Sequence, residues 1–270
     1  MSRQPLVSIL INNYNKEKYC VKALRSAIFQ NYRKIEIIFF DDCSNDRSLK
    51  KIKNLKTEFK NKFKIVKKKV RGEIYSFNQM EGIKRSIKIS KGKIICLMDS
   101  DDFFKKNKVK EIVNFFSKNP DQEILFDCPL IYKDTKGKNQ SSDKYFFREN
   151  KWPKFPPTSC ISVRKSSLKI AMRKIFVKKF KDLWFDFRLS TYFAINKNQF
   201  NLLQMNLTFY RHYENSHDKK FKKFINLEWW RRRNQAFDFI LFLNSRKFKK
   251  NKYSLDFLIT RLINKFFFIF

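Results

Sequence analysis

Three carboxylates fall within four positions at Asp99-Ser100-Asp101-Asp102, directly after the apolar run Ile94-Ile95-Cys96-Leu97-Met98. Carboxylates this close repel one another, and a hard divalent cation that bridges them to a diphosphate is the natural neutraliser. The apolar run has the length of a buried strand. In an open α/β sheet such a strand delivers the residues after it to the crevice at its carboxyl end, where these sheets bind ligands. A second acidic cluster, Asp41-Asp42-Cys43-Ser44-Asn45-Asp46, comes after the apolar run Ile35 to Phe40. Two clusters in one crevice suit a nucleotide, one contacting the base and the other holding metal and phosphate.

The elements that must position these clusters alternate in period. Leu6 to Ile11 reads as a strand, followed by the polar turn Asn12-Asn13-Tyr14-Asn15. From Glu17 to Phe29 the apolar residues Cys20, Val21, Leu24, Ala27 and Ile28 share one helical face. After the strand Ile35 to Phe40, polar residues can cap a helix carrying Leu49, Ile52 and Leu55. Phe63 to Val66 is a short strand, Ile74 to Ile89 a helix, Lys93 to Met98 a strand, Val109 to Phe116 a helix and Glu123 to Phe126 a strand. Strand and helix in alternation with short links predict an α/β fold, a parallel sheet covered on both faces.

A chain of 270 residues with 43% hydrophobic residues, 32 Phe and 4 Gly has a globular composition. Its five cysteines, Cys20, Cys43, Cys96, Cys128 and Cys160, show no Cys-x-x-Cys spacing and read as reduced residues of a cytoplasmic protein. No stretch has the pattern of a signal peptide or the apolar length of a membrane span. The net charge of +36 is spread through nearly every segment, and a binding stripe would be local. It favours anionic partners in general, but no zinc finger, aromatic strand motif or basic recognition helix supports specific nucleic-acid binding.

Three motifs in order give the first half a resemblance to family 2 glycosyltransferases, covering roughly residues 6 to 127. These are Val7-Ser8-Ile9-Leu10-Ile11-Asn12-Asn13-Tyr14-Asn15, then Asp41-Asp42-Cys43-Ser44-Asn45-Asp46, then Leu97-Met98-Asp99-Ser100-Asp101-Asp102. The resemblance implies a Rossmann-like nucleotide-diphospho-sugar transferase fold of the GT-A type, with a mostly parallel sheet and a helical C-terminal region. It implies that Tyr14 packs on the base, that Asp42 accepts its hydrogen bond with Asn12 and Asn15 beside them, and that Asp99 approaches ribose and metal. It makes Asp101 the principal ligand of Mn2+ or Mg2+. Two departures stand out. Cys43 occupies the family's usual glycine position, so a turn that favours positive φ is made without glycine. Gly82-Ile83-Lys84-Arg85-Ser86 stands where the family has Ala-Arg-Asn-x-Gly, which leaves Arg71, Lys84 or Arg85 to replace the diphosphate-binding arginine.

The division expected is a nucleotide-sugar-binding half at 1–128, an acceptor-binding and catalytic-base half at 129–225, and C-terminal amphipathic helices at 226–270. Trp152-Pro153-Lys154-Phe155-Pro156-Pro157-Thr158-Ser159-Cys160 reads as a loop crossing toward the site. In Phe180-Lys181-Asp182-Leu183-Trp184-Phe185-Asp186-Phe187-Arg188 carboxylates stand among aromatics, which suit sugar rings and raise a carboxylate's pKa toward that of a base. The resemblance implies that an acid here deprotonates the acceptor, with Asp182 first and Asp186 as its rival. Leu207-Thr208-Phe209-Tyr210-Arg211-His212 is similar to the family's Tyr-Arg-x-His element, in which His212 would help hold metal or diphosphate, with His217 a weaker candidate. Glu228-Trp229-Trp230-Arg231-Arg232-Arg233 reads as a helix with basic residues facing phosphate or membrane. Leu255, Leu258, Ile259, Leu262, Ile263 and Phe266 recur at helical spacing in a segment suited to an interfacial helix or to packing on the domain.

The expectation is therefore a metal-dependent, inverting glycosyl transfer from a nucleotide-diphosphate sugar, with uridine as the base, to a carbohydrate or lipid-linked acceptor. The setting is cell-surface polysaccharide or glycolipid synthesis, with the protein cytoplasmic or peripheral on the inner face of the membrane. Two alternatives stay open, a nucleotidyltransferase and a degenerate nucleotide-sugar or lipid-binding module. The first usually needs a Gly-rich basic loop where Asn12 to Asn15 stand.

Overall fold

A computed structural model describes residues 4–60, 62–132, 140–141, 145–148, 151–211, 226–243 and 255–268. In β1 (Val7–Asn13) the run Val7, Ser8, Ile9, Leu10 is buried on both faces, as a central parallel strand requires. Helix α1 (Cys20–Ile28) lays Cys20, Ala23, Leu24 and Ala27 against the sheet. Next come β2 (Ile35–Asp41), α2 (Ser48–Glu58), β3 (Phe63–Lys67), α3 (Tyr75–Ile89) and β4 (Ile94–Asp99). The strands pair in parallel in the order β3-β2-β1-β4.

The chain continues through β5 (Phe103–Phe104), α4 (Lys108–Lys118), β6 (Ile124–Tyr132), β7 (Gln140–Ser141), β8 (Phe146–Arg148) and β9 (Lys151–Lys154). A 3-10 turn at Thr158–Cys160 leads into β10 (Ile161–Arg164), α5 (Lys165–Ile175), α6 (Phe185–Asn196), β11 (Leu202–Arg211), α7 (Leu227–Leu243) and α8 (Leu255–Phe268). The sheet is extended in the order β4-β10-β6-β11-β5, with β10 antiparallel to both its neighbours and β11 parallel to β6. The result is the mixed α/β, mostly parallel sheet expected of a GT-A-like fold. Alternate residues of one strand feed opposite cores. Leu10, Ile95 and Leu97 face α3, α5, α6 and α7, whereas Ile9, Ile11, Cys96 and Met98 face α1, α2 and α4.

Two expectations need correction. The strands run on into polar residues, because ladder pairing continues through Asn12 opposite Asp99 and Asn13 opposite Asp41. The segment from Trp152 to Cys160 is more than a crossing loop. It carries β9, in a two-stranded ribbon with β8, and the turn that returns the chain to the main sheet as β10.

Helix α3 sits directly over the carboxyl ends of β1 and β2, and Gly82 permits that approach. A Cβ there would lie 2.6 Å from the Phe40 ring and 2.9 Å from Asn12 Oδ1. Gly82→Ala is expected to destabilise the fold by about 1–3 kcal/mol through overpacking, read as a lower urea midpoint at unchanged m-value.

Candidate active site

A cleft opens where β1, β2 and β4 end. At one end lies Asp42, which follows β2 and is buried. Arg71 Nε donates to its Oδ2 at 2.9 Å, and Lys68 Nζ lies 3.7 Å from its Oδ1. Burial raises the Asp42 pKa, and the charges of Arg71 and Lys68 pull in the opposite direction. The buried Oδ1 has no hydrogen-bond partner among the described residues, and neither has Asn12 Oδ1. The Arg71 guanidinium lies 3.7 Å above the centre of the Tyr14 ring and 5.6 Å from that of Tyr75. This end of the cleft is therefore an aromatic and cationic slot with an acceptor left over.

The turn supporting it is strained. Cys43 has φ 60, the left-handed conformation expected from the lost glycine. Asn15 has φ 51, and its Oδ1 accepts the Asn45 N–H at 2.9 Å. Asn15 thus braces the Asp41–Asp46 loop and does not line the cleft. Asn13 ties this loop to the other acidic cluster, donating to Asp41 Oδ1 at 2.8 Å and accepting from Ser100 Oγ at 2.7 Å.

At the opposite end Asp99 is half-buried at the end of β4, and its carboxyl is pushed up to about 7. Burial is the main cause and the negative charge of Asp101 the second. The Gln79 hydrogen bond opposes them, Asp186 adds a smaller repulsion, and Lys16 offsets part of it. Asp101 Oδ2 is 2.7 Å from Lys16 Nζ. Asp102 accepts from Ser159 Oγ at 2.6 Å and from the Arg211 N–H at 2.8 Å. Arg211 Nε donates to the Asp101 carbonyl at 2.9 Å, with its guanidinium 4.3 Å from the Tyr19 ring and 4.9 Å from Tyr132. Among the described residues no group of three or more His, Cys, Asp or Glu is arranged to hold a metal ion. Asp99 and Asp101 nevertheless suit a hard cation, because the repulsion from Asp101, second to burial in raising Asp99, is what a divalent ion would relieve. Magnesium and manganese are commonly held by one or two carboxylates, with water and substrate phosphate completing the shell.

Beneath the acids, Lys108 is buried without exposure and reaches Asp127 Oδ2 at 2.5 Å, Thr208 Oγ1 at 2.6 Å and the Ser159 carbonyl at 2.7 Å. Ser159 Oγ in turn accepts the Asp99 N–H at 2.9 Å. One ammonium thereby couples α4, β6, β11 and the 3-10 turn to the loop holding the carboxylates.

On the remaining wall Trp184 lies 6.3 Å from Tyr75 by ring centres, with the Arg232 guanidinium 4.6 Å from its ring. Asp186 lies in the first turn of α6, where its Oδ1 accepts the Phe187 N–H at 2.7 Å. Asp182 is placed differently. Its Oδ2 accepts from Arg231 Nε and Gln235 Nε2, both at 2.8 Å, so it docks the loop on α7, and neither it nor Asp186 is among the residues lining the cleft. The loop before α6 is shaped by Arg188, fully buried, whose guanidinium donates to the carbonyls of Ile175, Val177, Phe180 and Leu183. Of the arginine replacements considered, Arg71 reaches the cleft, while Lys84 lies 5.2 Å from the Phe176 ring and Arg85 pairs with Glu81. His212 and His217 lie outside the described residues. Tyr210 and Arg211 of the Tyr-Arg-x-His element line the cleft, as do Lys16, Tyr75 and Gln79, which were not anticipated. Only the nearness of Lys16 and Tyr75 to recognised motifs could have drawn attention to them.

The family model of glycosyl transferase family 2 matches residues 8–187. The chain belongs to that family. It is 27% identical over 225 residues to an uncharacterized glycosyltransferase of Nostoc sp., covering 78% of this chain and 66% of that protein. A second relative, an uncharacterized glycosyltransferase of Haemophilus influenzae, is 34% identical over 119 residues, or 43% of this chain and 44% of its own length. The chain thus spans two thirds or less of these relatives. Among solved structures, S. aureus TarS 1-349 in complex with UDP-GlcNAc matches with a TM-score of 0.64 at 16% identity, covering 97% of this chain and 73% of that one. The two chains share the fold.

Replacing Lys108 by Met should cost about 3–5 kcal/mol, because it leaves Asp127 buried and unpaired. Chemical denaturation compared with the Lys108→Met/Asp127→Leu double variant measures it, and the double variant should recover much of the loss.

Proposed function

We propose that the chain transfers a sugar from a UDP-sugar to an acceptor hydroxyl, with inversion. The observation that carries the reading is the pairing of an unfilled acceptor at Asp42 with an acid pair at the far end of one cleft. Uracil presents an imide N–H to a carboxylate and two carbonyls to cations, which suits Asp42 flanked by Arg71 and Lys68. Cytosine presents a ring acceptor at the same position and would be repelled. Tyr14 offers the base a ring face, and Asp99 faces the ribose. TarS, by its name a poly(ribitol-phosphate) beta-N-acetylglucosaminyltransferase, is 26% identical to this chain over 120 residues. Its complex with UDP-GlcNAc makes that donor the first to test.

Asp99 and Asp101 would hold Mn2+ or Mg2+, which, when bound, would neutralise charge on the departing diphosphate. Lys16 and Arg211 stand on either side of Asp101 and supply further positive charge there. The general base we assign is Asp186, which stands in the first turn of α6 two residues after the cleft-lining Trp184 and whose charge reaches Asp99. Asp186 takes the acceptor hydroxyl proton as the oxygen attacks the anomeric carbon. The bond from that carbon to the diphosphate breaks, and its electron pair leaves with UDP. A single in-line displacement needs one base and inverts the centre. Trp184 and Tyr75 provide faces for the sugar rings. A saccharide or lipid-linked acceptor in surface-polysaccharide or glycolipid synthesis, used at the cytoplasmic face of a membrane, fits the aromatic and cationic rim.

The test is UDP release from UDP-GlcNAc and other UDP-sugars with Mn2+. Asp186→Asn should lower kcat by about 10²–10⁴-fold with donor KM largely retained, while Asp182→Asn should cost stability and leave kcat within about tenfold. The reverse ranking would return the base to Asp182. UDP binding without turnover by the unaltered protein would favour a binding module.

A further inference from the structure

Helix α8 is amphipathic in the inverse of the usual sense. The side that meets α7 is polar. Arg233 holds the Asp256 carboxylate with two nitrogens, Arg261 reaches Asn234 and Asp238, and Asn264 Nδ2 donates to the Trp230 carbonyl at 3.0 Å. Thr260 and Asn264 are buried there, with Phe257 against Phe237 as the apolar contact. The opposite side is apolar and open to solvent, with Leu255 74%, Leu262 55% and Phe266 70% exposed and Leu258, Ile259 and Phe267 beside them. A helix that needed only to pack on the domain would bury these side chains and present its polar residues to water.

We infer that this face is a docking surface for an anionic lipid bilayer, into whose interface α8 lies parallel. Two features select that occupant. The helix's one acid, Asp256, is half-exposed but neutralised by the Arg233 guanidinium on the side that meets α7, and Lys265 is exposed. The chain's net charge of +36 attracts an anionic leaflet and opposes a second copy of itself. An apolar face combined with positive charge is the two-part requirement for stable attachment at an interface. No helix among the described residues is long and apolar enough to cross a membrane, so α8 lies on the surface. The inference stands on α8 and the charge alone and does not depend on the chemistry assigned to the cleft.

The test is co-sedimentation with vesicles of phosphatidylcholine containing about 30% phosphatidylglycerol, comparing the unaltered protein with Leu258→Ser/Leu262→Ser/Phe266→Ser. All three positions are exposed, so the variant should melt like the parent. The expected result is a partition coefficient lower by about tenfold or more in the variant, with parent binding partly surviving about 0.5 M NaCl. Equal binding by the two proteins, abolished by salt, would mean that charge alone is responsible and would overturn the inference. So would failure of the parent to bind while sedimentation velocity shows a dimer that the variant loses.

Discussion

The structure turns on one buried ammonium. Lys108 sits without exposure among Asp127, Thr208 and the Ser159 carbonyl, where its charge is tolerable because every donor direction finds an oxygen. Its partners come from parts of the chain far apart in sequence, and they meet directly below the loop after β4. Ser159 passes that constraint upward by bonding the Asp99 N–H and the Asp102 carboxylate. Carboxylates that repel one another are held in place by an antiparallel insertion, β10, and by the strand β11, neither of which belongs to the alternating first half. The second half of the chain therefore completes the cleft as well as bordering it.

Above this base the cleft is kept together by short polar links. Asn13 joins the two acidic loops, Lys16 and Arg211 flank Asp101, and Arg71 bridges Asp42 to the Tyr14 ring. The left-handed Cys43 shows that the turn geometry is kept even where the residue that favours it is absent. Such strain persists where its surroundings over-determine it, and here those surroundings are the hydrogen bonds of Asp41, Asn15 and Ser44.

The first half was legible because its signals are local. Continuous apolar runs and helical periodicity placed β1 to β4 and α1 to α4 within a few residues, and the acids lie at strand ends. The second half was not, for physical reasons. Helix α5 follows β10 with no intervening turn residue, β11 is interrupted by bulges, and the buried charges Lys108 and Arg188 look like surface residues in a chain with so many cations. Asp182 and Asp186 are indistinguishable by neighbourhood in the sequence. Long-range contacts with Arg231 and Gln235 separate them. In the same way Arg231 and Arg233, expected to face phosphate or membrane, bind Asp182 and Asp256.

The central claim is that Asp42 and the acid pair bind the two ends of one nucleoside diphosphate. Calorimetric titration of UDP, CDP, GDP and TDP in the presence of Mn2+ tests it most directly. The expected result is metal-dependent binding of UDP, with TDP equal or weaker because it shares the imide N–H, and CDP weaker by at least about tenfold, the cost of one mismatched buried hydrogen bond. Equal affinity for CDP, or no binding of any of the four, would contradict it.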